Sequence, residues 1–154
     1  MENLERKSAK CKNRVGFSGI EFTSVSEVAS IDCRYSSTAN VVRAVTFHPA
    51  GCFGRIDAKQ VYMSDNAHDG VHDVEITCTF YGTPEQVDAR LHELTFGRYL
   101  VRLRDRNGRL WLAGDKNEPL HFEYAHIGDA GPDGAHEYQL RFFGTLTIPL
   151  SATE

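Results

Sequence analysis

The last third of the chain alternates. Between Arg98 and Leu150 apolar residues recur at every second position, and only a few turn-forming residues interrupt them. A period of two is the signature of a strand with one buried face. The segment is therefore predicted to fold as two consecutive β-hairpins. In Arg98–Asp105, Tyr99, Val101 and Leu103 share one face, while Arg98, Arg102 and Arg104 share the other. Asn107-Gly108 follows, a dipeptide suited to the positive φ angles of a two-residue type I′ turn. Such a turn would set Arg106 opposite Arg109, Arg104 opposite Trp111 and Leu103 opposite Leu112. Arg104 would then lie beside the Trp111 ring on the solvent face.

The second hairpin repeats the logic. Leu120, Phe122, Tyr124 and His126 alternate with His121, Glu123 and Ala125, and Tyr138, Leu140 and Phe142 with Glu137, Gln139 and Arg141. Gly128–Gly134 is a loop by its glycines, proline and aspartates. Pairing Tyr124 with Tyr138 would bring Phe122 to Leu140 and Leu120 to Phe142. The alternation runs on through Leu146, Ile148 and Leu150, with Gly144 read as a bulge or bend and Pro149 as an edge position or the end of pairing.

Upstream, Val15–Asn40 reads as short strands joined by turns. Asn40–His48 is a strand with Val41, Val45 and Phe47 on one side, Lys59–Met63 a further short strand and Ser64–Gly70 a loop. His72–Phe80 is a strand whose apolar face is Val74, Ile76, Cys78 and Phe80. One helix is signalled at Pro84–Thr95. Thr83 and Gln86 have the spacing of a capping box, Pro84 takes the first helical position, and Val87, Leu91 and Leu94 form a narrow apolar stripe. The expected fold class is α+β, mostly β: an antiparallel sandwich or open barrel with one packed helix. A basic N-terminal arm, residues 1–14, precedes a single β-rich domain, residues 15–154; the arm carries five basic residues against two acidic ones.

At 154 residues, with 41% hydrophobic and 25% charged, the chain can bury a core without disulfides or metal. Cys11, Cys33, Cys52 and Cys78 are widely spaced and never form a C-x-x-C pair, so reduced thiols are expected and a zinc knuckle is not. No apolar run reaches the length of a membrane span, and the start of the chain lacks a signal peptide's hydrophobic core.

Motifs that carry chemistry are scarce. There is no G-x-S-x-G elbow, no P-loop and no G-x-G-x-x-G. His68 and His72 lie four apart, but Asp69-Gly70 between them rules out a shared helical face. His126 is expected to face His136, where a metal site with Asp129 or Asp133 is the minority reading and surface histidines the favoured one. No catalytic, cofactor-binding or metal-binding residue is assigned. The best charge feature is the basic strand face of Arg98, Arg102 and Arg104, with Trp111 beside it. Arginine and tryptophan are typical interface anchors, so these four form the candidate interface. Net charge of −4 makes nucleic acid the weaker partner.

Three stretches carry a resemblance: Arg98–Gly114 with its Asp105-Arg-Asn-Gly108 turn, Glu118-Pro-Leu-His-Phe122, and Tyr138–Leu150 with Phe142-Phe-Gly-Thr145 before Pro149. Together they resemble small structural proteins from the tail and head–tail-connector region of tailed phages and prophages, over about a third of the chain. The pattern is one of turns and strands, and it defines no functional residue to carry over. The resemblance implies a non-enzymatic virion component, assembled in the host cytoplasm, that forms a ring with copies of itself and contacts neighbouring virion proteins. The alternative from another class is a small-ligand or carbohydrate-binding β-domain using Trp111 and the tyrosines. A histidine-based metallohydrolase ranks third.

Overall fold

A computed structural model describes residues 15–35, 41–129 and 135–153. The basic arm of residues 1–14 and most of the loop between the second pair of strands, residues 130–134, lie outside the described residues. In chain order the strands are β1 (Val15–Phe17), β2 (Gly19–Ser24), β3 (Val28–Tyr35), β4 (Val41–Phe47), β5 (Gly54–Ile56), β6 (Lys59–His68) and β7 (Val71–Gly82). A single α-helix among the described residues, α1 (Pro84–Leu94), is followed by β8 (Tyr99–Arg104), β9 (Leu110–Ala113), β10 (His121–Asp129), β11 (His136–Leu146) and β12 (Ser151–Thr153).

The strands form two sheets. One has the order β1-β6-β7-β11-β10 and the other β3-β4-β12-β9-β8-β2-β5. Neither is closed, and every neighbouring pair is antiparallel except β12 with β4. The α+β, mostly-β class and the sandwich expected from the alternation are what the chain adopts. The two C-terminal hairpins separate, β8–β9 joining the seven-stranded sheet and β10–β11 the five-stranded one.

The main core lies between the sheets, where Ile76, Cys78, Val101, Leu103, Leu120, Tyr138 and Phe142 are almost fully buried. Leu91, the centre of the helix stripe, reaches the same core. A smaller cluster of Val28, Leu100 and Leu112 sits on the other side of the seven-stranded sheet, covered by Phe47 and Phe53. It exists because the sheet rolls: β2 and β3 lie far apart in strand order, yet a three-residue 3₁₀ turn, Val25–Glu27, joins them. Arg43 points into this roll with only 1% of its surface exposed. Its Nη1 and Nη2 donate to the carbonyls of Gly114 (2.7 Å) and Leu112 (2.8 Å), while Nε has no partner. The guanidinium bridges β4 to the end of β9, where short β12 begins at Ser151.

The register departs from expectation in both hairpins. In β8–β9, Leu103 opposes Trp111 and Arg104 opposes Leu110, one residue away from the two-residue-turn register. In β10–β11, Phe122 opposes Phe142 and Tyr124 opposes Leu140, a shift of two that keeps the same side chains on the core face. Ser64–Gly70 is mostly not a loop. β6 continues to His68, and the turn is only Asp69-Gly70, whose φ angles of 49° and 79° define the tight hairpin. Gly144 lies inside a continuous β11 and marks close packing: a Cβ there would stand 3.1 Å from Leu120 Cδ2. The alternation expected through Ile148 and Leu150 ends at Leu146. β12 is an interior strand, so Pro149 precedes pairing instead of ending it. The helix begins at Pro84 as read, but the Thr83 side chain caps no backbone amide and its hydroxyl meets Gln86 Oε1 at 3.2 Å instead.

Candidate functional site

The basic strand face becomes a cleft, and only part of the sequence-derived set lines it. β2 runs between β8 and β5, with Gly19 opposite Arg104 and Glu21 flanked by Arg102 on one side and Arg55 on the other. Ser18, Gly19, Glu21, Arg55, Arg102 and Arg104 bound a concavity of about 260 Å³ on the outward side of the seven-stranded sheet. Gly19 lies in its lining, and a Cβ built there would meet Arg104 Cβ at 3.7 Å, an ordinary contact.

The three guanidinium groups are not equivalent. Arg102 forms a two-pronged ion pair with Glu21 Oε2 and lies 4.2 Å above the Phe53 ring. It is half-buried and held on both sides, so it shapes the wall. Arg55 and Arg104 are exposed, and among the described residues no ion pair engages either. The cleft therefore presents two uncompensated positive charges next to one neutralised pair. Such an arrangement accepts carboxylate, phosphate or sulfate, which guanidinium binds in a planar, two-bond geometry.

Arg98 and Trp111 do not belong to it. Arg98 lies at the opposite end of the strand, roughly 20 Å from Arg104 at about 3.3 Å per residue; its Nη1 donates to Gly97 O at 2.9 Å. Trp111 lies on the opposite face of the sheet, packed against the main core. Its indole N–H donates to Asp105 Oδ2 at 3.1 Å. That hydrogen bond, helped by the amides of Arg109 and Asn107, holds the Asp105 carboxyl below its ordinary range. The expected Arg104–Trp111 contact is therefore absent, a consequence of the one-residue register difference. Arg55 is the residue that sequence reasoning missed. Its strand, Gly54–Ile56, is three residues long and too short to display a period.

Four of the seven histidines settle into local pairs. His68 Nε2 is 2.5 Å from Asp73 Oδ2, and His72 Nδ1 is 2.9 Å from Asp65 Oδ1, on opposite faces of the β6–β7 hairpin. The His68 hydrogen bond, followed by one from Thr145, keeps the Asp73 carboxyl below its usual range. The rings of His126 and His136 stack with centroids 4.8 Å apart, and their facing nitrogens share a hydrogen bond of 2.6 Å. His126 opposes Tyr138 and not His136, because of the register shift. Among the described residues no group of three or more His, Cys, Asp and Glu side chains converges as metal ligands would.

The tyrosines do not gather around Trp111 as the ligand-binding alternative requires. Trp111 instead borders a concavity of about 580 Å³ formed with Arg109, Leu110 and residues 149–153, with no tyrosine in its lining. No helix among the described residues is long and apolar enough to cross a membrane. No family model, no curated protein and no solved structure matches the chain.

Proposed function

We propose that this chain is a non-enzymatic structural subunit of a tailed-phage or prophage particle, in the tail or at the head–tail connector. It assembles with copies of itself into a ring and contacts neighbouring virion proteins. The observation that carries this reading is the pair of open sheets. β1, β10, β3 and β5 each end a sheet; β3 is interrupted by a bulge between Val28 and Ser30 and by Lys116 Nζ donating to Ala29 O, which leaves the nine residues of β10 as the long edge. A long edge is a template for adding another strand, and monomeric proteins usually blunt it with lysine, proline or a bulge. β10 has neither lysine nor proline, its bulge lies only at its far end, and Ile127 is 57% exposed.

Charge supports the same reading. The cationic cleft is on the outward face of one sheet. The outward face of the other carries Asp73, Glu75 and Glu123, the last two bonded to Arg141. Opposite charge on opposite sides of a sandwich favours head-to-tail contact, which forms a ring where the rotation closes. Resemblance of the C-terminal strands to connector and tail proteins supplies the setting.

Light scattering coupled to size-exclusion chromatography tests the assembly, with an oligomer larger than a dimer expected and weakening in high salt. A strict monomer at high micromolar concentration overturns it. Mass spectrometry of purified particles tests the setting, where absence of the chain from the particle overturns the virion assignment.

A further inference from the structure

We propose that the cavity beneath α1 binds a small amphipathic anion, a medium-chain aliphatic carboxylate being its simplest form. The cavity measures about 320 Å³. Phe22 and Ile56 of one sheet, Phe122 and Phe142 of the other, and Val87 and Leu91 of the helix line it. It is about twice the ~150 Å³ apolar void that takes up benzene, and it lies at the lower bound of ligand sites.

The space stays open because the helix is held at both ends. At its start, a Cβ on Gly82 would stand 2.6 Å from Val87 Cγ2, so only glycine admits the contact already made. Asp88 accepts a hydrogen bond of 2.5 Å from the hydroxyl of Tyr138. At its end, the Tyr99 hydroxyl donates to Leu94 O at 2.7 Å, and a Cβ on Gly97 would collide with the same ring. The helix stripe of Val87, Leu91 and Leu94 is narrow and aliphatic, and it leaves the space between the ring-bearing strands unfilled. The site is pre-formed, which lowers the ordering cost of binding.

Charge at the mouth selects the head group. Arg55, Asp57, Gln86 and Arg90 are exposed around the opening. Arg90 stands on the helix side of the opening and Arg55 is shared with the outward cleft; among the described residues no ion pair engages either arginine. An apolar body inside and a carboxylate at the rim would satisfy both parts of the site.

Sodium decanoate titrated into the full chain tests this by calorimetry and by displacement of a fluorescent apolar dye. Decanoate is expected to bind with a dissociation constant in the tens of micromolar, and decanol and decylamine about fivefold more weakly. Arg90→Gln should remove the preference for decanoate over decanol while leaving decanol's affinity unchanged. Ile56→Phe and Val87→Phe fill the cavity from two different walls, and either should abolish uptake in a chain that still melts cooperatively. Methyl shifts of Val87, Leu91 and Leu94 on adding decanoate locate the site without any substitution. Equal binding of decanol and decanoate overturns the proposal. Undiminished binding by a folded filled variant, methyl shifts elsewhere, or displacement of the dye by apolar peptides alone overturns it as well.

Discussion

Leu103 and Trp111 face each other directly across the β8–β9 ladder, and Asp105 is the reason. The connecting loop holds Arg106, Asn107 and Gly108 instead of two residues. The Asp105 amide donates to Arg109 O (2.9 Å) and the Gly108 amide to Asp105 O (3.1 Å), while Gly108 adopts φ +82°. This is a type I turn followed by a left-handed bulge residue, which glycine alone takes without strain. The Asp105 carboxylate stabilises it by accepting from the amides of Asn107 (2.8 Å) and Arg109 (2.9 Å). Adding one residue to the loop moves every β9 side chain to the other face. Trp111 turns toward the core, and Arg104 is left to the cleft.

Asp105→Ala should therefore loosen the turn and release the indole together. Two backbone amides and the Trp111 N–H lose their acceptor at once. The expected outcome is a fall of a few degrees in Tm, with red-shifted tryptophan emission as the ring gains water. Thermal melts and fluorescence of this chain, whose sole tryptophan is Trp111, read both effects without interference.

Arg43 offers a sharper test of stability. Its guanidinium is buried and satisfies the Leu112 and Gly114 carbonyls, and burial lowers its pKa from the ordinary value. Arg43→Met keeps the length of the side chain and removes both donors. Two buried carbonyls then lack partners, which should cost about 2–4 kcal/mol. Urea denaturation is expected to show a lower midpoint with little change in m-value, since the core and its surface are unchanged.

Cysteine chemistry follows from burial. Cys33 and Cys52 are exposed, while Cys78 is fully buried and its thiol is pushed up to about 12. A raised pKa means that the folded state favours the neutral thiol. Its stabilising contribution is complete below the unfolded value of 9.0 and is lost as pH rises from there to about 12. Native labelling with a disulfide reagent should modify Cys33 and Cys52 and leave Cys78 until the chain unfolds. Between pH 9.0 and about 12 the urea midpoint should fall less steeply in Cys78→Ala than in the parent chain.

Much of this fold was legible because a two-residue period survives errors of register. In β10–β11 the observed pairing lies two residues from the expected one, so Phe122, Tyr124, Leu140 and Phe142 still share a face. In β8–β9 the difference is one residue, and it turns Trp111 away from the arginine face and toward the core. The Asp105 side chain decided that turn, and an Asn-Gly reading ignores it. Asp69-Gly70 is the reverse case: the dipeptide announces a tight hairpin, but the polar residues before it resemble a loop. Arg43 was concealed by its alternation with Val45 and Phe47, where a charged residue on an apolar face is legible only once its carbonyl partners are known. Arg55 lay on a strand too short for any pattern. The cavity under α1 depends on how two glycines seat a helix, which no periodicity reports.

The β10 edge makes the assembly reading testable at single positions. Strand addition requires its outward amides and carbonyls to approach another backbone, and a lysine on that edge opposes the approach through its charge and desolvation. Ala125 and Ile127 are exposed, so Ala125→Lys with Ile127→Lys should leave stability within about 0.5 kcal/mol per position. Sedimentation velocity is expected to show the doubly substituted chain as a monomer where the parent associates. Arg104→Glu acts elsewhere, reversing charge in the cleft. It should weaken association most at low salt and flatten its salt dependence, whereas the edge substitutions should act at every ionic strength because they block backbone pairing.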